Sequence, residues 1–225
     1  MAQATNEVWE ALREETNVDV EYKFDINGVT YGKDAEERHS VSNSLFEKFG
    51  IGKVSSSTLN LVVEADDIPK NSVIRRYARL VSGDQASDWI PKGVFYLNTR
   101  RESDGLWTIE AFDALRKATV KYVQEGDQSE WPLPADVVAE AIADRLEVEL
   151  DERTTIDPSI MVEYPDDRTI QEVLASIAAA HCGNFIMSDA GKLWLVPLLS
   201  APEETNLLVN QRGDYITFGG VRIIV

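Results

Sequence analysis

The sequence predicts an α+β fold: an antiparallel β-barrel or β-sandwich domain, then a small α/β domain, then the start of further β structure. Two observations indicate the first part. Apolar and polar residues alternate over short stretches, and turn-forming residues separate those stretches. The second part is indicated by a change to helical spacing of the apolar residues after residue 130.

The clearest strand runs from Val18 to Ile26, where every second residue is apolar. Asn27-Gly28 follows it directly, and this dipeptide tolerates the positive φ angles of a two-residue hairpin turn. Residues 32–39 are polar and are assigned to no strand. Asp113 is placed to cap a brief helix over 114–122. Further strands are predicted near residues 55–65, 76–82, 92–100 and 105–112.

The α/β domain is predicted from two helices and a hairpin. Residues 134–147 show the spacing of an amphipathic helix. Thr169 and Glu172 have the spacing of a capping box at the start of a second helix, and Gly183 stands where its C-terminal cap is expected. Two apolar stretches then flank a turn over 188–192, which predicts a hairpin.

These elements divide the chain into a helical arm (1–17), an antiparallel β domain (18–122), the α/β domain (132–198) and terminal strands (199–225). The terminal strands either close the first β domain or open a second one that a longer chain would contain. In the arm, Val8, Trp9 and Leu12 form an apolar stripe. Either the arm docks on its own domain through this stripe, or the three residues form a subunit interface.

Composition limits the partners and the compartment. The 225 residues carry 22 Lys and Arg against 39 Asp and Glu, a net charge of −17, which disfavours nucleic acid and anionic lipid. No stretch approaches the about 18 consecutive apolar residues of a spanning helix, so no membrane insertion is expected. The N-terminal residues do not resemble a secretory signal and Cys182 is the single cysteine, so we expect a protein made in a cytoplasm.

Candidate catalytic residues give little support for an enzyme. The acidic pairs Asp66-Asp67 and Asp166-Asp167 lie beside prolines in predicted turns, where aspartate usually bonds nearby backbone amides. Two histidines and one cysteine are too few for a zinc protease site. His181 and Cys182 are neighbours on a helix and point about 100° apart, so they do not form a nucleophilic pair. We therefore expect no catalytic residue, metal or cofactor.

Several segments together resemble prophage tail proteins of Gram-positive bacteria, which are similar to baseplate hub (tail tip) proteins. The resemblance covers about residues 18 to 200 and depends on the order of its segments. They are Ile51-Gly52, Ser55–Leu59, Trp89–Tyr96, Ser103–Gly105, Ala111–Leu115, Trp131-Pro132, Tyr164-Pro165, Ala178–Phe185 and Asp189–Leu193.

The resemblance implies a tail-tube-like β domain and a structural role in connecting the tail tube to the tip. The implied partners are other tail proteins: the tail tube, a tip or spike, and the distal tail protein. It also implies a homotrimer of the full-length chain, and a location in the virion tail after assembly in the host cytoplasm.

A second function remains open: a tail-associated module that binds carbohydrate or degrades the cell wall. Exposed aromatic side chains on a sheet face would favour this alternative. The aromatic residues to inspect are Trp89, Tyr96, Trp107 and Trp194.

Overall fold

A computed structural model describes residues 6–43, 50–124 and 130–198, together with the backbone of 217–218 and 221–222. The helices are α1 (Glu7–Arg13), α2 (Ala135–Arg145) and α3 (Ile170–Ala180), with a 3₁₀ helix over Ala114–Thr119. The strands are β1 (Asp19–Ile26), β2 (Val29–Tyr31), β3 (Glu36–Asn43), β4 (Val54–Ser55), β5 (Ser57–Glu64), β6 (Val73–Ser82), β7 (Gln85–Ala86), β8 (Ile90–Ser103), β9 (Leu106–Phe112), β10 (Leu133–Pro134), β11 (Met161–Val162), β12 (Gly183–Met187), β13 (Leu193–Pro197), β14 (Thr217–Phe218) and β15 (Val221–Arg222).

One large antiparallel sheet forms most of the first half of the chain, which confirms the predicted α+β class. Its order is β2-β1-β6-β8-β9-β5-β3, and β7 pairs with Val81 and Ser82 at the end of β6. Within the described ranges, the end strands β2 and β3 do not pair with each other. The sheet is therefore open and does not close into a barrel.

The sheet has a buried inner face because apolar residues occupy every second position of its strands. Phe24 and Ile26 of β1 are buried, as are Leu59, Leu61 and Val63 of β5. The sheet curves enough to bring its ends together through side chains: the ring centroid of His39 lies 4.4 Å from that of Tyr22 and 5.2 Å from that of Phe24. Curvature of this kind lets one sheet enclose its own core.

A second hydrophobic cluster belongs to the α/β part. Buried residues of α2 and α3 pack with Phe185, Leu193 and Leu195 of the hairpin β12–β13. Three residues of the segment that follows β9, Leu115, Ala118 and Tyr122, belong to this second cluster as well. The small sheet has the order β13-β12-β4, so the segment that precedes β5 supplies its third strand, parallel to β12.

Several local predictions agree with the structure. Asn27 and Gly28 have φ angles of 53° and 88°, and Ile26 pairs with Val29 across this turn. Thr169 and Glu172 form both halves of a capping box at the start of α3. The predicted hairpin over 185–196 is present as β12 and β13.

Two local predictions were wrong. Residues 36–43 form strand β3, although the polar stretch 32–39 predicted no strand. At the end of α3, Cys182 has the positive φ angle (49°), whereas Gly183 is already the first residue of β12. Gly183 fits there because an added Cβ would lie 2.7 Å from the carbonyl oxygen of Val196. Close approach of two strands, rather than a helix cap, explains this glycine.

In the terminal segment, β14 pairs with β15, and no described residue of the large sheet pairs with either strand. The other terminal residues that were predicted to form strands lie outside the described residues. Among the described helices, none has the length and apolar character needed to cross a bilayer.

Candidate interaction surfaces

The predicted interface residues lie on α1, which begins at Asn6. The Asn6 side chain accepts a hydrogen bond from the backbone N–H of Trp9 at 2.8 Å and caps the helix. Leu12 is fully buried within this chain, whereas Val8 and Trp9 are half-buried. Lys92 lies 5.8 Å from the Trp9 ring centroid, so the helix contacts the chain's own β8. A contact of Val8 and Trp9 with another subunit remains a prediction.

The four aromatic side chains named as carbohydrate candidates are half-buried, and each has a cation of the same chain beside its ring. Arg153 lies 3.7 Å from the centroid of Trp194, and Lys117 lies 4.4 Å from that of Tyr96. Trp89 and Trp107 have arginine partners at 4.6 and 5.0 Å. Sugar-binding sites need an accessible aromatic face, and these cations occupy one face of each ring.

The acidic pairs occupy loops and form no convergent site. Asp67 lies 3.4 Å from Arg100, and Asp167 forms an ion pair with Lys121. Asp166 has a φ angle of 55° and is exposed. Both pairs lie in loops, but the contacts of Asp67 and Asp167 are ion pairs with distant cations rather than the predicted bonds to nearby backbone amides.

Both ring nitrogens of His181 are engaged by the backbone, and Cys182 is exposed. Nδ1 lies 2.8 Å from the carbonyl oxygen of Ile177, and Nε2 accepts a hydrogen bond from the N–H of Asp157 at 2.8 Å. With Nε2 as an acceptor, Nδ1 is the ring nitrogen placed to donate to the Ile177 carbonyl. Across 6–43, 50–124 and 130–198, no three His, Cys, Asp or Glu side chains form a group that could hold a metal ion.

Asp113 joins the two clusters at the point where β9 ends. Its carboxylate accepts hydrogen bonds from Ser57 N–H at 2.6 Å, Ser56 Oγ at 2.8 Å and Leu115 N–H at 3.1 Å. The residue is only 3% exposed, and burial raises the pKa of its carboxyl while these bonds act in the opposite direction. The sequence indicated the helix cap, but the bonds to Ser56 and Ser57 depend on the tertiary fold.

A second junction connects the tip of the β12–β13 hairpin to β8. Gly93 donates a backbone hydrogen bond to the Asp189 carbonyl at 3.0 Å, and Lys92 lies 3.2 Å from the Asp189 carboxylate. At Gly191 an added Cβ would lie 2.7 Å from Val94. The α/β part is thus attached to the large sheet at two separate places, through β4 and Asp113 and through this hairpin tip.

Two hollows open on the surface of the large sheet. One, of about 400 Å³, is lined by Arg38, Asn60, Val62 and Thr108 among others. The other, of about 230 Å³, lies beside the 3₁₀ helix and is lined by Thr58, Phe112, Arg116 and Gln171 among others. Among the residues that line these two hollows, no nucleophile is hydrogen-bonded to a base.

No family model matches the chain, and no curated protein matches it at a significant level. Among solved structures, the 43 kDa tail protein of prophage MuSo2 from Shewanella oneidensis is similar, with a TM-score of 0.51 and 10% identity over 84% of this chain and 59% of that chain. A tail protein from Neisseria meningitidis MC58 gives a TM-score of 0.49 and 13% identity over 78% of this chain and 51% of that chain.

At such low identity the first similarity shows the fold alone. The fold class is that of a mainly antiparallel β protein with few helices. More particularly, this chain shares over most of its length the fold of a phage tail protein, and it spans 59% of that protein's length.

Proposed function

We propose that this chain is a non-enzymatic structural component of a phage-type tail. The observation that carries the proposal is the fold shared with the prophage MuSo2 tail protein over 84% of this chain. The site chemistry is consistent with it, because His181, Asp67 and Asp167 are engaged in backbone contacts or surface ion pairs. A structural protein acts through shape and attachment, and the two junctions between the clusters support such a role.

More specifically, we propose that the chain is a baseplate hub, or tail-tip protein, of the Gram-positive type. Such a protein joins the tail tube to the tip. Its support is the resemblance of the sequence segments. The partners would be the tail tube, a tip or spike and the distal tail protein, with a homotrimer of the full-length chain. The protein would be found in the virion tail and, during assembly, in the host cytoplasm.

We also propose the predicted domain organisation. It consists of an arm (1–17), a β domain (18–122), an α/β domain (132–198) and terminal strands (199–225). The contacts of β4 and of the 3₁₀ helix suggest one refinement. Residues 50–55 and 114–122 bury side chains or pair strands with the α/β part. They would therefore fold with it.

The test is deletion of the gene from the phage or prophage that encodes it, followed by electron microscopy of the particles. A tail component predicts missing or aberrant tails, and a hub predicts in particular tubes without a completed tip. Normal tails that no longer adsorb to cells would instead indicate a carbohydrate-binding module. Normal tails with undiminished infectivity would overturn the structural proposal.

The hub is tested separately by the solution mass of this chain and of the full-length protein at micromolar concentration. A hub predicts a trimer of the full-length protein. A monomeric full-length protein would overturn the trimer and leave the tail role to the deletion experiment.

A further inference from the structure

The outer face of β3, β5, β9 and β8 carries side chains that line up across the four strands. Strand register places Arg38, Val62, Thr108 and Arg101 in one row. The next row contains Ser40, Asn60, Glu110 and Thr99, and the third contains Ser42, Thr58, Phe112 and Tyr96. Arg116 lies over the Phe112 ring, 5.0 Å from its centroid. We refer to these thirteen side chains as the arginine face.

The three arginines of this face are exposed and, among the described residues, form no ion pair. The single acid in the rows, Glu110, accepts a hydrogen bond from Asn98 Nδ2 at 2.8 Å. Another acid, Glu64, lies in the row beyond Val62. In a chain of net charge −17, three guanidinium groups without acidic partners make this face a local exception.

The spacing of the three arginines of this face suits an extended or helical segment of a partner rather than a small ion. Arg38 and Arg101 are three strand spacings apart, which is about 14 Å between their backbones. From the first row to the third, four residues along β5 correspond to about 13 Å. A single carboxylate or phosphate cannot reach all three arginines, whereas several acidic side chains on one segment can.

Both hollows described above are lined in part by residues of this face. The larger one is bordered by Arg38 of the first row, and the smaller one by Thr58, Phe112 and Arg116. Hydroxyl and amide groups of Ser40, Asn60 and Thr108 lie between the arginines. Such a surface offers charge for attraction, hydrogen-bonding groups for orientation and recesses for side chains.

We propose that the arginine face docks an acidic segment of a partner protein. Guanidinium groups bind carboxylates through paired hydrogen bonds, and the three unpaired arginines supply this chemistry at separate points. A protein is favoured over nucleic acid because the two hollows can take side chains, and because the −17 net charge opposes a continuous phosphate backbone more than a few spaced carboxylates. The inference rests on the strand register and the charges of this face and does not depend on the tail role.

The test measures binding of a fluorescently labelled octapeptide of alternating Glu and Thr by anisotropy, at about 50 mM salt so that screening is weak. The variant Arg38→Gln/Arg101→Gln/Arg116→Gln removes the three charges. We expect at least about a ten-fold loss of affinity. All three side chains are exposed, so folding is checked simply by an unchanged melting temperature.

A matched control removes three exposed cations elsewhere: Lys33→Gln/Lys70→Gln/Arg168→Gln. It changes the net charge equally and should alter affinity less than about two-fold. Equal losses in the two variants would overturn the proposal, since bulk charge alone would then explain binding. Absence of peptide binding to the natural chain would also overturn it, as would tighter, variant-sensitive binding of duplex DNA.

Discussion

Asp113 connects the start of β5 to the 3₁₀ helix, and its replacement tests whether this junction stabilises the fold. One carboxylate oxygen accepts the 2.6 Å bond from Ser57 N–H, and the other accepts those from Ser56 Oγ and Leu115 N–H. In Asp113→Asn, an amide NH₂ group faces one of these donors. In Asp113→Ala, all three donors lose their acceptor.

The magnitude follows from these bonds. A buried donor without an acceptor costs about 1–3 kcal/mol, and bonds to a charged acceptor are at the upper end. Removing the charge offsets part of this, because burial of the carboxylate already raises its pKa. We expect Asp113→Asn to lower the free energy of unfolding by about 1–2 kcal/mol and Asp113→Ala to lower it by about 2–4 kcal/mol.

The assay is urea unfolding near neutral pH, with Asp19→Asn as the control. Asp19 is exposed at the start of β1, so this change should remain within about 0.5 kcal/mol of the natural chain. If both Asp113 variants also remained within that range, the reasoning about the buried acceptor would be refuted.

Three further changes have defined outcomes. A hydrogen bond from Arg153 lowers the pKa of Asp151 to about 2, so Asp151→Asn should cost about 2 kcal/mol near neutral pH. That difference should shrink as the pH falls from about 4 toward 2, which unfolding at several pH values would show. Gly191→Ala should cost about 1–3 kcal/mol in thermal unfolding because its Cβ would meet Val94. Thr169→Ala removes the capping box of α3 and should cost about 1 kcal/mol, with Thr169→Ser retaining most of the stability.

For each of these three predictions, one result would contradict it. A pH-independent effect of Asp151→Asn would mean that the ion pair does not depress the pKa. Gly83→Ala is the control for Gly191, since Gly83 also has a positive φ but open space around it. Equal losses of stability in Gly191→Ala and Gly83→Ala would mean that backbone strain, and not the contact with Val94, causes the loss. For Thr169, equal losses with Ala and Ser would argue against the side-chain cap.

The elements that the sequence predicted are those governed by local rules. Alternation identified β1, and Asn27-Gly28 identified its turn, because a two-residue hairpin needs two residues that tolerate positive φ. The spacing of Thr169 and Glu172 identified the start of α3, since a capping box is completed within one turn. Strand β3 was missed because its side chains are mostly exposed on both faces, which leaves no apolar alternation to detect.

By itself, then, the sequence determined the α+β class, most strands and the two main helices, because backbone preference and apolar period act over a few residues. Only the tertiary structure decided the open curvature of the large sheet and the attachment of β4 to β12. It also decided the bonds that Asp113 accepts from Ser56 and Ser57, and the alignment of Arg38, Arg101 and Arg116 on one face. Those features join residues far apart in the chain, and their geometry depends on strand register and packing that no local pattern specifies.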